Sequence, residues 1–286
     1  MSTITKTKRS KVLIFDSGVG GLTIFRAIRE LVPDIQIDFA SDNAGFPYGT
    51  RTEYSLLQRV HKVLENLIDT LSPDLVVIAC NSASTLALPS LRAKYDTPFV
   101  GVVPAIKPAA ELSTSGHIGL LATPATISRN YTLKLIQSYA SDKEVTLLGS
   151  SELVQMAEDK LRGIQPSPQH LEAILAPLIA KESLDTLVMA CTHFPLLLED
   201  MQAHLPQVNH WVESGAAIAR RVQSLMPLES KLEPASATKS QPSFQPSLKN
   251  SQAWFTTTDA KDSKLEDYLL QQYGLNLNII PIESDD

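Results

Sequence analysis

Cysteine is scarce in this sequence, which has only Cys80 and Cys191 among its 286 residues. Two thiols are too few for a zinc site of the common cysteine-rich kind or for a disulfide framework. The count alone allows one disulfide, but we expect the chain in the cytoplasm, where thiols are kept reduced. The sequence therefore predicts neither a metal site nor a fold held together by disulfides.

An excess of positive charge and long hydrophobic runs are also missing. Lys and Arg number 25 against 31 Asp and Glu, so the formal net charge is −6 and the pI is about 5.6. Nucleic-acid-binding domains are usually basic, so we do not expect a nucleic acid partner. No apolar run approaches the roughly 18–20 residues of a membrane span, and Val12–Phe15 is too short for a signal-peptide core. We therefore expect a cytoplasmic protein without a membrane segment.

The residues that are present can build a substantial core, because 43% are hydrophobic, 20% are charged and the mean hydropathy is −0.02. Short apolar runs, typical of buried parallel strands, alternate with amphipathic helical patterns. The runs are Val12–Phe15, Ile35–Ala40, Leu75–Ala79, Phe99–Val103, Ile118–Ala122, Val145–Leu148 and Leu187–Ala190. The predicted helices are Leu22–Leu31, Ser55–Leu71, Thr126–Ala140, Ser151–Leu161 and His170–Lys181. This alternation predicts a doubly wound α/β fold that binds ligands at the carboxyl ends of its strands.

Two cysteine-bearing segments repeat one pattern. In Asp74–Cys80 and in Asp185–Cys191, an Asp precedes the Cys by six residues and Ala-Cys closes an apolar run. A weaker echo pairs the strand ending at Asp16 with the strand ending at Thr123. The echoes predict two pseudo-symmetric doubly wound α/β domains with mostly parallel sheets, and an active site in the cleft between them.

The chain would divide near Pro104 and near Trp211. The first domain would hold residues 11–104 plus 211–286, and the second would hold 105–210. Residues 227–250 contain four Pro, five Ser and three Lys, which predicts a flexible insertion in the first domain. After it we expect a strand, a helix and a strand, at Ala253–Thr258, Lys261–Tyr273 and Leu275–Ile282.

Both cysteines lie at predicted strand ends. A lone free cysteine is more often a small buried hydrophobe, but two at equivalent strand ends, each followed by polar residues, favour a function. An ordinary thiol has a pKa of about 8.5, so a helix N-terminus or a cation must stabilise the thiolate. Ser82, Ser84 and Thr192 could cap such a helix.

The first strand runs into a glycine-rich turn, Asp16–Gly21. The turn is not a phosphate loop, because the third glycine of G-x-G-x-x-G would fall at Thr23 and no Walker A pattern occurs. We expect Asp16 and Ser17 to project into the site, where an acidic side chain suits an ammonium group or proton handling.

Three further features give weaker signals. Pro47-Tyr48-Gly49 is an ordinary turn sequence. His193 follows Cys191 by two residues, so its imidazole could tune the thiol or donate a proton. Glu158 lies on a predicted helix and, on these residues alone, would be solvated.

Four segments together resemble the bacterial glutamate racemases of the aspartate/glutamate racemase family, in their order and spacing. The segments are Asp16–Leu22, Pro47–Gly49, Ala79–Ser84 and Ala190–Leu197. The resemblance extends over about residues 11–282. The two cysteine motifs make it specific, whereas the Asp-Ser-Gly turn alone would not.

The resemblance implies a cofactor-independent racemase that supplies D-glutamate for peptidoglycan. It implies that Cys80 takes the Cα proton from D-glutamate and Cys191 takes it from L-glutamate. Asp16 would assist Cys80, while His193 and, on a looser match, Glu158 would assist Cys191. The implied substrate-binding residues are Asp16, Ser17, Pro47, Tyr48, Gly49, Asn81, Ser82, Thr123, Thr192 and His193.

The sequence also departs from the family. Ser82 stands where the family usually has threonine, so the hydroxyl is kept and a methyl contact is lost. Gly149–Val154 resembles the proteobacterial branch, whose enzymes can depend on a UDP-muramoyl precursor as activator. The insertion at 227–250 has no assignable counterpart. A homodimer would be unsurprising in the family.

Three other functions fit parts of the pattern. A racemase for aspartate or another acidic amino acid fits the cysteine echo equally well, although His193 and Pro47-Tyr48-Gly49 favour glutamate. A binding protein for an anionic metabolite would leave both cysteines without a chemical role. A thiol hydrolase would use Cys191 with His193 and leave Cys80 idle.

Overall fold

The computed structural model describes residues 10–226, 251–257 and 263–282. The insertion expected at 227–250 lies outside the described residues, as do parts of the predicted strand and helix around 258–262. In the described part of the chain, no helix has both the length and the apolar character that crossing a bilayer requires.

Strands and helices alternate along the described residues. The strands are β1 Lys11–Asp16, β2 Gln36–Ser41, β3 Leu75–Ile78, β4 Phe99–Gly101, β5 His117–Ala122, β6 Glu144–Gly149, β7 Thr186–Ala190, β8 His210–Val212, β9 Gln252–Phe255 and β10 Asn276–Ile279. The helices are α1 Leu22–Leu31, α2 Glu53–Leu71, α3 Asn81–Lys94, α4 Ile106–Leu112, α5 Pro124–Ser128, α6 Asn130–Tyr139, α7 Glu152–Leu161, α8 Pro168–Ile179, α9 Leu198–Gln202, α10 Gly215–Leu225 and α11 Ser263–Tyr273. Two short 3-10 helices span Tyr48–Thr50 and Phe194–Leu197.

The strands form two sheets in which all the described pairs are parallel. The larger sheet has the order β10-β9-β2-β1-β3-β4 and the smaller has the order β6-β5-β7-β8. The segment β2-β1-β3-β4 therefore repeats the connectivity of β6-β5-β7-β8, which confirms the predicted pseudo-symmetric α/β fold. In both units the cysteine-bearing strand lies beside the first strand of its unit.

The repeated aspartates have a structural role in both units. Asp74, just before β3, accepts a hydrogen bond from the backbone N–H of Lys11 at 2.8 Å. Asp185, just before β7, accepts from the backbone N–H groups of Thr114 and Ser115 at 2.8 and 2.7 Å. Each carboxylate thus holds the start of the neighbouring strand, β1 or β5, in register. This shared role explains why an Asp precedes each Cys by six residues.

Helices cover both faces of each sheet, which is why the strands have continuous apolar sequences. Successive residues of β1 point to opposite faces. Val12 and Ile14 join one apolar cluster, while Leu13 and Phe15 join another, and all four are fully buried. The core therefore leaves only the strand ends free to present polar side chains.

The structure corrects several predicted elements. The helix expected at Thr126–Ala140 is two helices, because the backbone of Arg129 is extended (φ −69°, ψ 136°) and separates α5 from α6. The elements β8, α4, α9 and α10 were not predicted, nor was α3, whose small polar residues and internal Pro89 obscure the helical pattern. Trp211, near which a domain boundary is expected, lies in β8 and pairs with Leu187 of the smaller sheet.

Candidate active site

One cavity lies where the carboxyl ends of strands from the two sheets meet. Its space, counted together with the open solvent at its mouth, is about 350 Å³. Its lining is Asp16, Ser17, Pro47, Tyr48, Gly49, Cys80, Asn81, Ser82, Thr123, Ser151, Val154, Cys191, Thr192 and His193. Every residue predicted for the site lines it except Glu158, which lies directly behind His193.

Ser151 and Val154 line the cavity but were not predicted. Both follow β6, which occupies in the smaller sheet the place that β2 has in the larger one. The strand-end argument that singled out the cysteines would also have pointed to Ser151, had it been applied to this strand.

Cys80 follows β3 and is the N-cap residue of α3. Its Sγ lies 3.8 Å from Oγ of Ser17. Burial and the negative charge of Asp16 raise the pKa of the Cys80 thiol to about 12, although the backbone N–H of Ala83 opposes the shift. Cys80 is therefore a neutral thiol at pH 7 and a proton donor.

Asp16 connects the two halves of the cavity. Its Oδ2 accepts a hydrogen bond from Oγ1 of Thr192 at 2.7 Å, and its Oδ1 accepts from the backbone N–H of Ser17 at 2.6 Å. Burial raises the pKa of Asp16, while the nearby charge of His193 and these hydrogen bonds limit the rise. The carboxyl group lies close enough to influence the ionisation of Cys80.

Cys191 faces a buried imidazole. Its Sγ lies 3.8 Å from Nδ1 of His193, and Nε2 of the same ring lies 2.8 Å from Oε1 of Glu158. Burial lowers the pKa of His193, but the hydrogen bonds and charges of Cys191 and Glu158 outweigh it and raise the pKa well above 6.5. His193 is therefore an imidazolium at neutral pH, and its positive charge lies beside the Cys191 sulfur.

Glu158 is buried, with 5% of its surface exposed, and so differs from the solvated residue that its position on a helix suggested. Burial raises its pKa, but hydrogen bonds from His193, Val19 and Arg162 outweigh this and lower the pKa to about 2. The backbone N–H of Gly20 also approaches Nε2 of His193, at 3.3 Å. Because a protonated Nε2 cannot accept, the shorter contact to the Glu158 carboxylate governs the state of the ring.

The segment that carries Tyr48 is held from behind. The Tyr48 hydroxyl donates to Oδ2 of Asp42 at 2.5 Å, and Arg59 donates to both oxygens of Asp42 at 2.8 and 2.6 Å. Thr256 adds a fourth hydrogen bond to Asp42 at 2.7 Å. These supporting residues were not predicted, since nothing in the sequence links positions so far apart. Arg59 and Thr256 hold Asp42 in place, so that the Tyr48 hydroxyl donates to it.

Hydroxyl groups from both halves meet on the Cys80 side of the cavity. Oγ of Ser82 lies 3.0 Å from Oγ1 of Thr123 and 3.3 Å from Oγ1 of Thr126. Such groups can bind a carboxylate without adding charge. In the described residues, no cluster of three or more His, Cys, Asp or Glu side chains is arranged to hold a metal ion.

Comparisons with known proteins agree with this geometry. The model of the Asp/Glu/Hydantoin racemase family matches residues 20–222. A glutamate racemase of Vibrio vulnificus (strain YJ016) is 50% identical over 220 residues, which are 77% of this chain and 82% of that protein. A glutamate racemase of Escherichia coli O45:K1 is 49% identical over 219 residues, which are 76% of this chain and 77% of that protein.

Solved structures are similar over nearly the whole chain. The crystal structure of Escherichia coli glutamate racemase with L-glutamate and the activator UDP-MurNAc-Ala has a TM-score of 0.84 and 41% identity, covering 96% of this chain and 100% of that one. The glutamate racemase of Francisella tularensis with D-glutamate has a TM-score of 0.73 and 25% identity, covering 97% of this chain and 99% of that one.

Proposed function

The chain belongs to the Asp/Glu/Hydantoin racemase family, and on that premise we propose that it interconverts L- and D-glutamate by two-base proton transfer at Cα. It is an isomerase, as its relatives at about half identity are. The observation that carries the mechanism is the pairing of Cys80 and Cys191 in one cavity, each at a strand end of a different sheet.

The charges of the site determine where the reaction starts. L-Glutamate reacts with Cys191 as the base, beside the His193 imidazolium, and with Cys80 as the thiol that donates a proton. L-Glutamate loses its Cα proton to the Cys191 sulfur, and the electron pair left on Cα takes the Cys80 proton on the opposite face. The products are D-glutamate, a Cys191 thiol and a Cys80 thiolate. D-Glutamate reacts in reverse, because Cys80 is then the base and Cys191 the acid.

The surrounding residues act on these two protons. Asp16 assists proton movement at Cys80, while His193, oriented by Glu158, assists at Cys191. Negative charge develops on the α-carboxylate in the transition state, and fixed N–H and O–H donors at Asn81, Ser82 and Thr192 stabilise it. Ser17, Pro47, Tyr48, Gly49 and Thr123 complete the walls that orient the ammonium and carboxylate groups. This scheme uses no cofactor.

The same proposal includes the cellular role and the partners. Glutamate is the substrate, and D-glutamate made in the cytoplasm would serve peptidoglycan synthesis. A UDP-muramoyl precursor is proposed as an activator, because the Escherichia coli relative is solved with UDP-MurNAc-Ala as its activator. A homodimer and the two-domain division, at 11–104 plus 211–286 and 105–210, remain proposals.

The test is incubation of the purified protein with L-glutamate in D₂O, without pyridoxal phosphate, with and without UDP-MurNAc-Ala. We expect the enantiomers to approach an equal mixture while deuterium enters Cα. Cys80→Ser and Cys191→Ser should each abolish racemisation, because each removes one of the two acid–base groups.

Other results would favour other functions. Exchange with aspartate but not glutamate would assign another acidic amino acid as substrate. Ligand affinity that survives both cysteine substitutions, without turnover in the wild type, would indicate a binding protein. A covalent adduct at Cys191, with Cys80 dispensable, would indicate a thiol hydrolase.

A further inference from the structure

The proposed substrate carries two carboxylates, yet the cavity has few cationic groups. Among the described residues that line it, no Lys or Arg is present, and His193 is the one basic side chain. His193 lies on the Cys191 side, where its charge is shared with Glu158 and the sulfur. On the Cys80 side, the lining residues offer a dicarboxylate such as glutamate only neutral hydrogen-bond donors and no cationic side chain.

Arg129 is a buried cation with unused hydrogen-bonding capacity. It lies in the link between α5 and α6, and only 5% of its surface is exposed. Its Nη1 donates to Oε1 of Glu53 at 2.8 Å, whereas its Nε and Nη2 have no hydrogen-bond partner among the described residues. Buried donors are almost always paired, so two unpaired nitrogens on one guanidinium require an explanation.

The position of Arg129 relates it to Cys80. Helix α5, which ends at Arg129, packs against α3 and against the 3-10 turn Tyr48–Thr50. The guanidinium and the Cys80 sulfur are close enough to interact electrostatically. The other titratable groups facing Cys80 are Asp16 from β1, Cys191 directly after β7 and Tyr48 from the turn, and all three are acids that carry negative charge when ionised.

We propose that Arg129 is a specificity-determining residue, whose buried guanidinium gives the Cys80 side of the cavity the positive potential that a dicarboxylate substrate requires. Two effects follow from one charge. The positive charge attracts the carboxylates of either enantiomer. It also stabilises the Cys80 thiolate, which is the enzyme form that binds D-glutamate. Glu53 lies at the start of α2 and belongs to the larger-sheet half, so its ion pair with Arg129 crosses the cleft and partly offsets this charge.

The test compares Arg129→Gln, Arg129→Lys and Glu53→Gln in the full-length protein, with kcat and KM measured separately for both enantiomers. The equilibrium constant between enantiomers is one, so kcat/KM must stay equal in the two directions and directional effects show in KM and kcat separately. For R129Q we expect KM to rise about tenfold for D-glutamate and about fivefold for L-glutamate, because a charge at this range acts through a medium of low dielectric.

The two other variants give matched controls. Arg129→Lys keeps the charge, so both KM values should remain within about threefold of the wild type. Glu53→Gln keeps an oxygen acceptor for Nη1 but removes the opposing charge, so the ratio of the D-glutamate KM to the L-glutamate KM should fall. The ratio of the D-glutamate KM to the L-glutamate KM should therefore rise in R129Q and fall in E53Q. A purely structural role of Arg129 would not produce these opposite changes.

Wild-type KM values in R129Q, equal losses in R129Q and R129K, or an E53Q ratio that rises would each overturn the role of Arg129. If R129Q does not fold, the KM values of R129K and the ratio of the D-glutamate KM to the L-glutamate KM in E53Q still test the role of Arg129. A wild-type protein that does not racemise glutamate would instead overturn the proposed function, and this inference with it.

Discussion

The two thiols occupy equivalent strand ends but face opposite charges. Cys80 lies beside the Asp16 carboxyl, which with burial raises the pKa of Cys80 to about 12. Cys191 lies 3.8 Å from an imidazole that Glu158 keeps protonated. Pseudo-symmetry in the backbone thus coexists with asymmetry in charge. A two-base racemase needs this difference, because one thiol must be ionised while the other is protonated.

Glu158 provides a test of this charge arrangement through the pH dependence of stability. Its pKa is lowered from 4.5 to about 2 in the folded protein, so it stabilises the fold above pH 4.5, and this contribution is lost as the pH falls towards 2. We expect the unfolding free energy of the wild type to fall by about 2 kcal/mol more than that of Glu158→Gln between pH 6 and 3. Urea denaturation at stepped pH measures the difference.

A matched control for this experiment is Glu172→Gln, which alters an exposed glutamate on α8. It should keep the wild-type pH dependence. Parallel pH curves for the wild type and E158Q would contradict the buried Glu158–His193 pair. The raised pKa of His193 acts in the opposite sense, since its stabilisation is present below 6.5 and is lost as the pH rises through the folded value.

The site could be predicted only in part from single residues. Cys80, Cys191, Asp16 and His193 follow from strand ends and motif order, and all of them line the cavity. The burial of Glu158 could not be predicted, because it depends on Val19, 139 residues earlier in the chain. The Asp42 network with Arg59 and Thr256 could not be predicted for the same reason, nor could the two unpaired nitrogens of the Arg129 guanidinium.

At the scale of elements, the parallel strands were the easiest to predict, because burial on both faces gives each an uninterrupted apolar run. Strand bounds differ from the expected ones by a few residues. Helix α3 was not predicted, because its small polar residues and internal Pro89 obscure the helical pattern, and Asn81 and Ser82 of its first turn line the cavity. The sequence pattern does not predict an element well where that element carries residues of the site, because the site's requirements override local helix and strand preferences.

The turn between β1 and α1 gives the element-scale prediction. A Cβ on Gly20 would lie 2.5 Å from Nδ1 of His193 and 2.7 Å from its backbone N, so the turn can approach the other half only without a side chain. We expect Gly20→Ala to lower kcat/KM at least about 100-fold, because an error of about 1 Å in positioning has such a cost. The unfolding free energy should change by less than about 1 kcal/mol, since opening the cleft relieves the clash.

Gly215→Ala is the control for this substitution, because an added Cβ there would meet only the Ala27 Cβ at 3.2 Å and Glu213 at 3.9 Å. Its racemase activity should stay within about threefold of the wild type. Wild-type turnover in Gly20→Ala would show that the close approach of the two halves is not required for catalysis.

At the scale of the whole molecule, the two units meet through few polar contacts, and these converge on the cavity. Thr192 donates to Asp16, the Val19 N–H donates to Glu158 at 2.7 Å, and Oγ1 of Thr23 donates to the Thr192 carbonyl at 3.2 Å. The same contacts involve Asp16, which lies beside Cys80, and Glu158, which pairs with the His193 ring beside Cys191. The contacts that join the two units are therefore also contacts made by the acid–base residues of the cavity.

This coupling predicts where substrate protects the backbone. The Val19 N–H bond to Glu158 joins the two units, so hydrogen exchange at that amide should require the cleft to open. With glutamate at about 100 times its Kd, the closed form gains about 2.7 kcal/mol, and exchange in peptides spanning residues 17–23 should slow about 100-fold. Peptides covering β6, whose hydrogen bonds lie within one unit, should change little. Equal protection of both regions would mean that the substrate stabilises the fold as a whole, without closing one half on the other.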